Sequence, residues 1–327
     1  MSRDPVRPRR RQPPRESARG GKSAARDRGT FTQARAVLCS LRDLLRFAIS
    51  QFEAAGLAYG HGNESAYDEA AYLILHTLHL PLDRLEPFLD ARLIPMEVDA
   101  VLDVLQRRVR DKVPAAYLTH EAWLGDFRFY VDERVIVPRS HIAAVLEQGL
   151  AGWIPRPESV ERALDLCTGS GCLAVLLAHA FPSAMIDASD ISALALEVAR
   201  HNVDTYGLSH RVRLVESDLF AGLGGQSYEV IVSNPPYVPA AAMAALPAEY
   251  RHEPALALAG GQDGLSVVRH ILRQARHHLT RDGLLLMEVG EGREALETAC
   301  PQLELTWLEV PAGGAPVCLL EREQLPA

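Results

Sequence analysis

The chain has 327 residues, of which 48% are hydrophobic and 23% charged, enough for two domains with a sizeable core at about 100 to 200 residues per domain. Its net charge of −8 is uneven: ten Lys/Arg against three Asp/Glu put +7 into residues 1–30, and everything after residue 30 carries −15. An acidic body argues against tracking a nucleic-acid backbone, which is gripped by clustered Lys and Arg, and no run reaches the roughly 20 apolar residues a membrane span needs.

The opening stretch, MSRDPVRPRRRQPPRESARGG, is rich in Pro, Arg and Gly and has no signal-peptide core. Such a composition cannot bury enough apolar surface to offset the entropy of ordering it, so residues 1–30 are expected to be a disordered basic tail. It is read either as an arm touching RNA or as an uninvolved extension, the second being the commoner use of a charge block. From Phe31 the texture changes. Leu38, Leu41, Leu45, Ile49 and Phe52 recur at spacings of three and four, predicting an amphipathic helix stopped by Gly56 and Gly60. Two more helices are predicted, near Tyr67 to Thr77 and Met96 to Val109, giving a small helical domain over residues 31–115. Trp123 to Val137 then reads as a β-hairpin turning at Asp132-Glu133, within a linker at residues 116–140.

Residues 141–327 alternate between strand and helix patterns. Strands are predicted at 163–167, 185–188, 211–217, 228–233 and 284–289, with helices at 172–180, 192–206 and 265–279 between them and two apolar stretches at 303–310 and 317–320. This spacing implies right-handed crossovers and a mostly parallel sheet covered on both faces, an α/β domain. Five cysteines, at 39, 167, 172, 300 and 318, form no Cys-x-x-Cys pair. A disulfide framework and a zinc ribbon are therefore both unexpected, no metal is assigned, and a reducing, cytoplasmic compartment is the default.

Three segments carry candidate chemistry. The first, Asp165-Leu166-Cys167-Thr168-Gly169-Ser170-Gly171-Cys172, lies between a strand and a helix. Its two glycines allow a turn tight enough for a ligand to approach the backbone. No Gly-Lys-Ser/Thr follows the turn, which excludes a P-loop, and only part of the dinucleotide fingerprint is present. The second is acidic. Asp190 ends the next strand, about 20 residues after the glycines, where a carboxylate can accept from ribose hydroxyls. Asp218 and Leu219 close the third strand, where an adenine would lie; for Asp218 a role as helix N-cap stays equally open.

The third segment is Asn234-Pro235-Pro236-Tyr237, directly after the strand YEVIVS. Two prolines remove two donors and hold the backbone extended, leaving nearby carbonyls free to accept. The Asn234 side-chain oxygen and the Pro235 carbonyl can each take one hydrogen of a planar NH₂ group, with the Tyr237 ring against the same plane. Such a site suits an amide or a nucleobase amine.

With these residues in place, the chain is similar to class I (Rossmann-like) S-adenosylmethionine-dependent methyltransferases, and more narrowly to the protein glutamine methyltransferases of the HemK group. The resemblance runs from about Leu41 to Leu325. Of two branches, one acts on class I release factors and the other on the large-subunit ribosomal protein L-three. Several segments resemble the second: Tyr59-Gly60-His61-Gly62, Phe129 to Arg134, Val137-Pro138-Arg139-Ser140, Cys167 to Cys172, Glu249 to Pro254, and Thr306 to Glu309. The release-factor branch usually has Gly where Cys167 stands and an aromatic residue in place of Leu219.

The resemblance implies S-adenosylmethionine as cofactor and S-adenosylhomocysteine as product. It further implies that Asp165 belongs to the cofactor site, that Thr168 to Cys172 line the methionine part, Asp190 the ribose, and Asp218 and Leu219 the adenine, while Asn234 to Tyr237 hold the glutamine amide. The helical domain would recognise the protein substrate. Arg139 and Glu253 match motif positions without an assigned task; pairing with an acidic neighbour and capping the segment before Pro254 are the readings open to them. The competing functions are release-factor methylation, methylation of nucleobase amines, and cofactor binding without turnover.

Overall fold

The computed structural model describes residues 20–148, 150, 152–310 and 314–326. Four helices open it: α1 (Gly20–Val37), α2 (Leu41–Ala55), α3 (Ala66–Thr77) and α4 (Pro95–Asp111). Ser40 and Asp43 form a capping box that starts α2, and Gly56 ends it in the left-handed region at φ 58°. Phe31, Leu44, Phe52, Ile74 and Leu102 meet in one apolar cluster. Helix α1 begins inside the stretch expected to be a tail; residues 1–19 lie outside the described residues. Composition alone missed the helix because its second half is held by tertiary contacts. Phe31 and Ala34 are buried in the cluster, and Arg35 pairs with Asp99 at 2.8 Å and with Asp103 of α4.

A short helix, α5 (Ala115–Thr119), leads into a hairpin of β1 (Glu121–Leu124) and β2 (Phe127–Tyr130). The turn sits at Gly125-Asp126, between the paired Leu124 and Phe127, and Gly125 supplies the φ of 57° that a tight hairpin needs. Asp132-Glu133 is therefore not the hairpin turn, and Val135 to Val137 is not its second strand. The Asp132 carboxylate accepts the Arg134 N–H at 3.0 Å, and Val135 and Val137 after it are buried rather than paired.

The remaining elements in chain order are α6 (Ile142–Gln148), β3 (Arg162–Leu166), α7 (Cys172–Ala180), β4 (Met185–Asp190), α8 (Ala193–Thr205), β5 (Val212–Glu216) and β6 (Tyr228–Ser233). After them come α9 (Ala240–Met243), α10 (Ala255–Leu258), α11 (Ser266–His278), β7 (Leu279–Met287), α12 (Arg293–Ala299), β8 (Thr306–Leu308) and β9 (Val317–Glu321). The seven large-sheet strands run in the order β5-β4-β3-β6-β7-β9-β8, parallel except for β9, which is antiparallel to both neighbours. Alternation along β6 sends Val230 and Val232 into the cluster that contains α7, and Ile231 into the opposite cluster with α11. Both faces are thereby covered, as the apolar strands require.

Strand β3 pairs with β4 on one side and β6 on the other, so the strand order reverses between β3 and β6. In open α/β sheets a crevice forms at such a switch point, outside the carboxyl ends of the strands. The glycine turn follows β3, Asp190 ends β4, Asp218 follows β5 and Asn234 follows β6, so four distant segments reach one edge.

Candidate active site

Two cavities meet at this edge. The first, about 370 Å³, is bordered by Gly169, Asp190, Asp218, Leu219, Asn234 and Pro236 among others. The second, about 590 Å³, is bordered by Asn234, Pro235, Tyr237, Arg139 and Tyr250 among others. Asp165, Thr168, Ser170, Gly171 and Cys172 border neither and instead shape the turn. Thr168 Oγ1 donates to the buried Asp165, and the Ser170 carbonyl accepts from Asn202 at 2.8 Å. Gly171, at φ 78°, lies against α8, where an added Cβ would come within 3.1 Å of Ala199 Cβ. Cys167 adopts φ 64° and Leu219 φ 49°, a region that favours glycine.

The walls of the first cavity suit an adenosine-bearing cofactor. Asp190 accepts the Gly169 N–H and the Ser192 N–H, each at 2.9 Å. A carboxylate has about four acceptor positions, so the Gly169 and Ser192 amides do not exhaust it. Burial pushes the Asp190 carboxyl up, against the pull of the Ser192 and Gly169 amides. Ser192 is the N-cap of α8, its side chain accepting from Ala195, which leaves Asp190 without that task. No helix follows Asp218 either, and its carboxylate has no partner among the described residues. Among the described residues, Ser189 Oγ, buried at the wall, has no hydrogen-bond partner, and a Cβ on Gly169 would meet no atom within 4 Å. The cavity thus offers unused acceptors and unfilled space together.

Asn234 borders both cavities, and its carboxamide has no hydrogen-bond partner among the described residues. The Pro235 carbonyl is likewise unengaged. Just beyond, Val238 donates to the Leu258 carbonyl at 2.8 Å and accepts from Gly260 at 2.9 Å, which ties the segment to the end of α10. Tyr237 is packed by glycines that sequence reasoning did not single out, its ring by Gly290 and its backbone by Gly260. A Cβ on Gly290 would lie 2.6 Å from Tyr237 Cε2, and one on Gly260 would lie 2.7 Å from Tyr237 Cα. The run Gly260-Gly261-Gln262-Asp263-Gly264 was the available signal. Burial, with the charge of Glu288 behind it, pushes the Tyr237 phenol up to about 12. It stays neutral at physiological pH and is no base. The cysteines of the glycine turn are no better as nucleophiles, because burial pushes the Cys172 thiol up to about 12 and Cys167 higher still.

Arg139 and Glu253 pair with each other. The guanidinium donates to both carboxylate oxygens, at 2.6 and 2.8 Å, and stands 5.4 Å from the centre of the Tyr250 ring. The same carboxylate accepts the Val137 N–H at 3.0 Å. Among the described residues no group of His, Cys, Asp or Glu side chains could hold a metal ion, and no helix is long and apolar enough to cross a membrane.

Residues 150–248 match the methyltransferase small domain. A ribosomal protein uL3 glutamine methyltransferase of Neisseria meningitidis is 57% identical over 295 residues, spanning 90% of this chain and 97% of that relative. The protein of the same name from Burkholderia pseudomallei is 56% identical over 88% of this chain and 96% of its own length. The Bradyrhizobium diazoefficiens relative, again so named, is 49% identical over 89% of this chain and 94% of its own.

Proposed function

The chain belongs to the ribosomal protein uL3 glutamine methyltransferases, and from that premise we propose that it transfers a methyl group from S-adenosylmethionine to the side-chain amide nitrogen of a glutamine in uL3. The observation that carries the reading is Asn234: a carboxamide without a partner among the described residues, beside the Pro235 carbonyl, which has none there either, on the boundary between the two cavities. When bound, the cofactor supplies an electrophilic methyl group on a positively charged sulfur.

An amide nitrogen is a poor nucleophile, since its lone pair is delocalised into the carbonyl. Asn234 and Pro235 counter this by accepting both N–H hydrogens, which raises electron density on nitrogen and aims it toward the first cavity. The Tyr237 ring packs against the amide plane. No side chain of the segment is a base, so the proton leaves to water once the nitrogen is methylated. Asp190 would hold the ribose and Asp218 the adenine, with Leu219 lining the same cavity. A ribosomal substrate makes the cytoplasm the place of action.

Asn234→Ala is expected to lower methyl transfer to purified uL3 by about two to three powers of ten, the usual loss for one electrostatic group in a protected site. Calorimetry should find S-adenosylhomocysteine binding unchanged. Wild-type turnover in that variant would overturn the reading. Nucleic acid offered in place of uL3 should incorporate no labelled methyl.

A further inference from the structure

We infer that Ile136 and Ala257 are the jaws of the passage between the two cavities and that their bulk decides which alkyl group the protein can transfer. The inference rests on the function proposed above. Among the described residues that border the cavities, only Ile136, Asn234 and Ala257 border both. Asn234 is the polar wall of this boundary; the other two are apolar and half-buried. In the transfer, the sulfur–carbon bond breaks with its electron pair left on sulfur, the nitrogen lone pair forms the new nitrogen–carbon bond, and the amide proton goes to water. The moving carbon is then between the cavities, so whatever it carries besides hydrogen meets Ile136 and Ala257.

Both jaws are fixed by the same residue. Ile136 lies between Val135, whose carbonyl accepts the Tyr117 hydroxyl, and Val137, whose N–H is held by the Glu253 carboxylate at 3.0 Å. Ala257 lies on α10, which begins just after Glu253-Pro254, and its N–H donates to the Pro254 carbonyl at 3.0 Å. Glu253 thus holds the neighbour of one jaw, Val137, with its side chain and carries the other along the backbone, while Arg139 grips its carboxylate through two hydrogen bonds. A passage braced this way cannot widen cheaply for a longer group. In a close-packed apolar pocket one extra methylene costs roughly 10- to 200-fold.

The test uses the full chain, purified uL3 and equal concentrations of S-adenosylmethionine and its S-ethyl analogue, with mass spectrometry reading the ratio of ethylated to methylated glutamine peptide. Ile136→Ala is expected to raise that ratio by about tenfold or more, and Ile136→Val by a smaller factor. Ala257→Val should lower methyl transfer about tenfold, with S-adenosylhomocysteine affinity by calorimetry kept within about twofold. An unchanged ratio in both Ile136 variants, with cofactor-product binding intact, overturns the inference. If the wild-type chain binds S-adenosylhomocysteine yet leaves uL3 unmodified, the proposed function fails first and takes this inference with it.

Discussion

Tyr237 owes its place to residues that have no side chain. Gly290 sits at φ 53°, and the space a Cβ would fill there is taken by the Tyr237 ring. Gly290→Ala therefore adds backbone strain and displaces the ring at once. Turnover on uL3 is expected to fall about tenfold or more, since small misplacements of positioning groups are costly, with S-adenosylhomocysteine binding spared; steady-state kinetics beside calorimetry would show the split. Asp165 behaves differently. Its burial pushes the carboxyl up to about 7, against the Thr168 hydroxyl that pulls it down. An unfolded Asp titrates near 3.9, so between about 4 and 7 the folded state holds a proton that the unfolded state releases. Stability from this residue is present below that window and lost as pH rises through it. Thermal unfolding of the cofactor-free protein at pH 4 and pH 7 should show Asp165→Asn gaining on the wild type at the higher pH.

Helix α4 shows how an element is held by one residue facing inward. Arg108 is buried and donates to Glu69 of α3 at 2.6 Å, to Glu249 at 3.1 Å and to the Ala58 carbonyl at 2.9 Å. Glu249 also accepts the Ala58 N–H at 3.1 Å, so the N-terminal helical region and the segment before Glu253 share one polar knot. Truncation leaves two carboxylates without their cation in a dry setting. Arg108→Ala is expected to cost about 3–5 kcal/mol, the loss typical of a broken buried pair, read from urea unfolding at constant slope. The hairpin gives the contrasting lesson. Its turn was misplaced from sequence because Gly125-Asp126 and Asp132-Glu133 are both plausible turn dipeptides; what separates them is that Leu124 and Phe127 pair across the first, while the second is folded back by the Asp132 and Arg134 contact.

Across the whole molecule, Glu253 joins three regions: His61 of the N-terminal helical region, Val137 after the hairpin and, through Arg139, the wall of the second cavity. Burial opposes its charge, but His61 and Arg139 outweigh that and bring the carboxyl down to about 2. At 3.6 Å His61 is the weaker partner, and the two-point grip of Arg139 carries the hold. A carboxyl depressed in the fold contributes stability above the ordinary Glu value near 4.3, lost as pH falls toward 2. The stability gap between wild type and Glu253→Gln should therefore close over that acid window, as denaturant titrations at pH 6 and pH 3 would show. The sequence by itself determined the α/β alternation, the glycine turn, the Asp190 position and the Asn-Pro-Pro-Tyr segment, because periodicity, glycine and proline act on the backbone within a few residues. Only the tertiary structure decided that Val137 meets a carboxylate 116 residues away, that glycines pack Tyr237, and that Ile136 and Ala257 border both cavities. Those contacts take shape when desolvated charges and close-packed surfaces from distant segments come together, and no local pattern encodes which segments will meet.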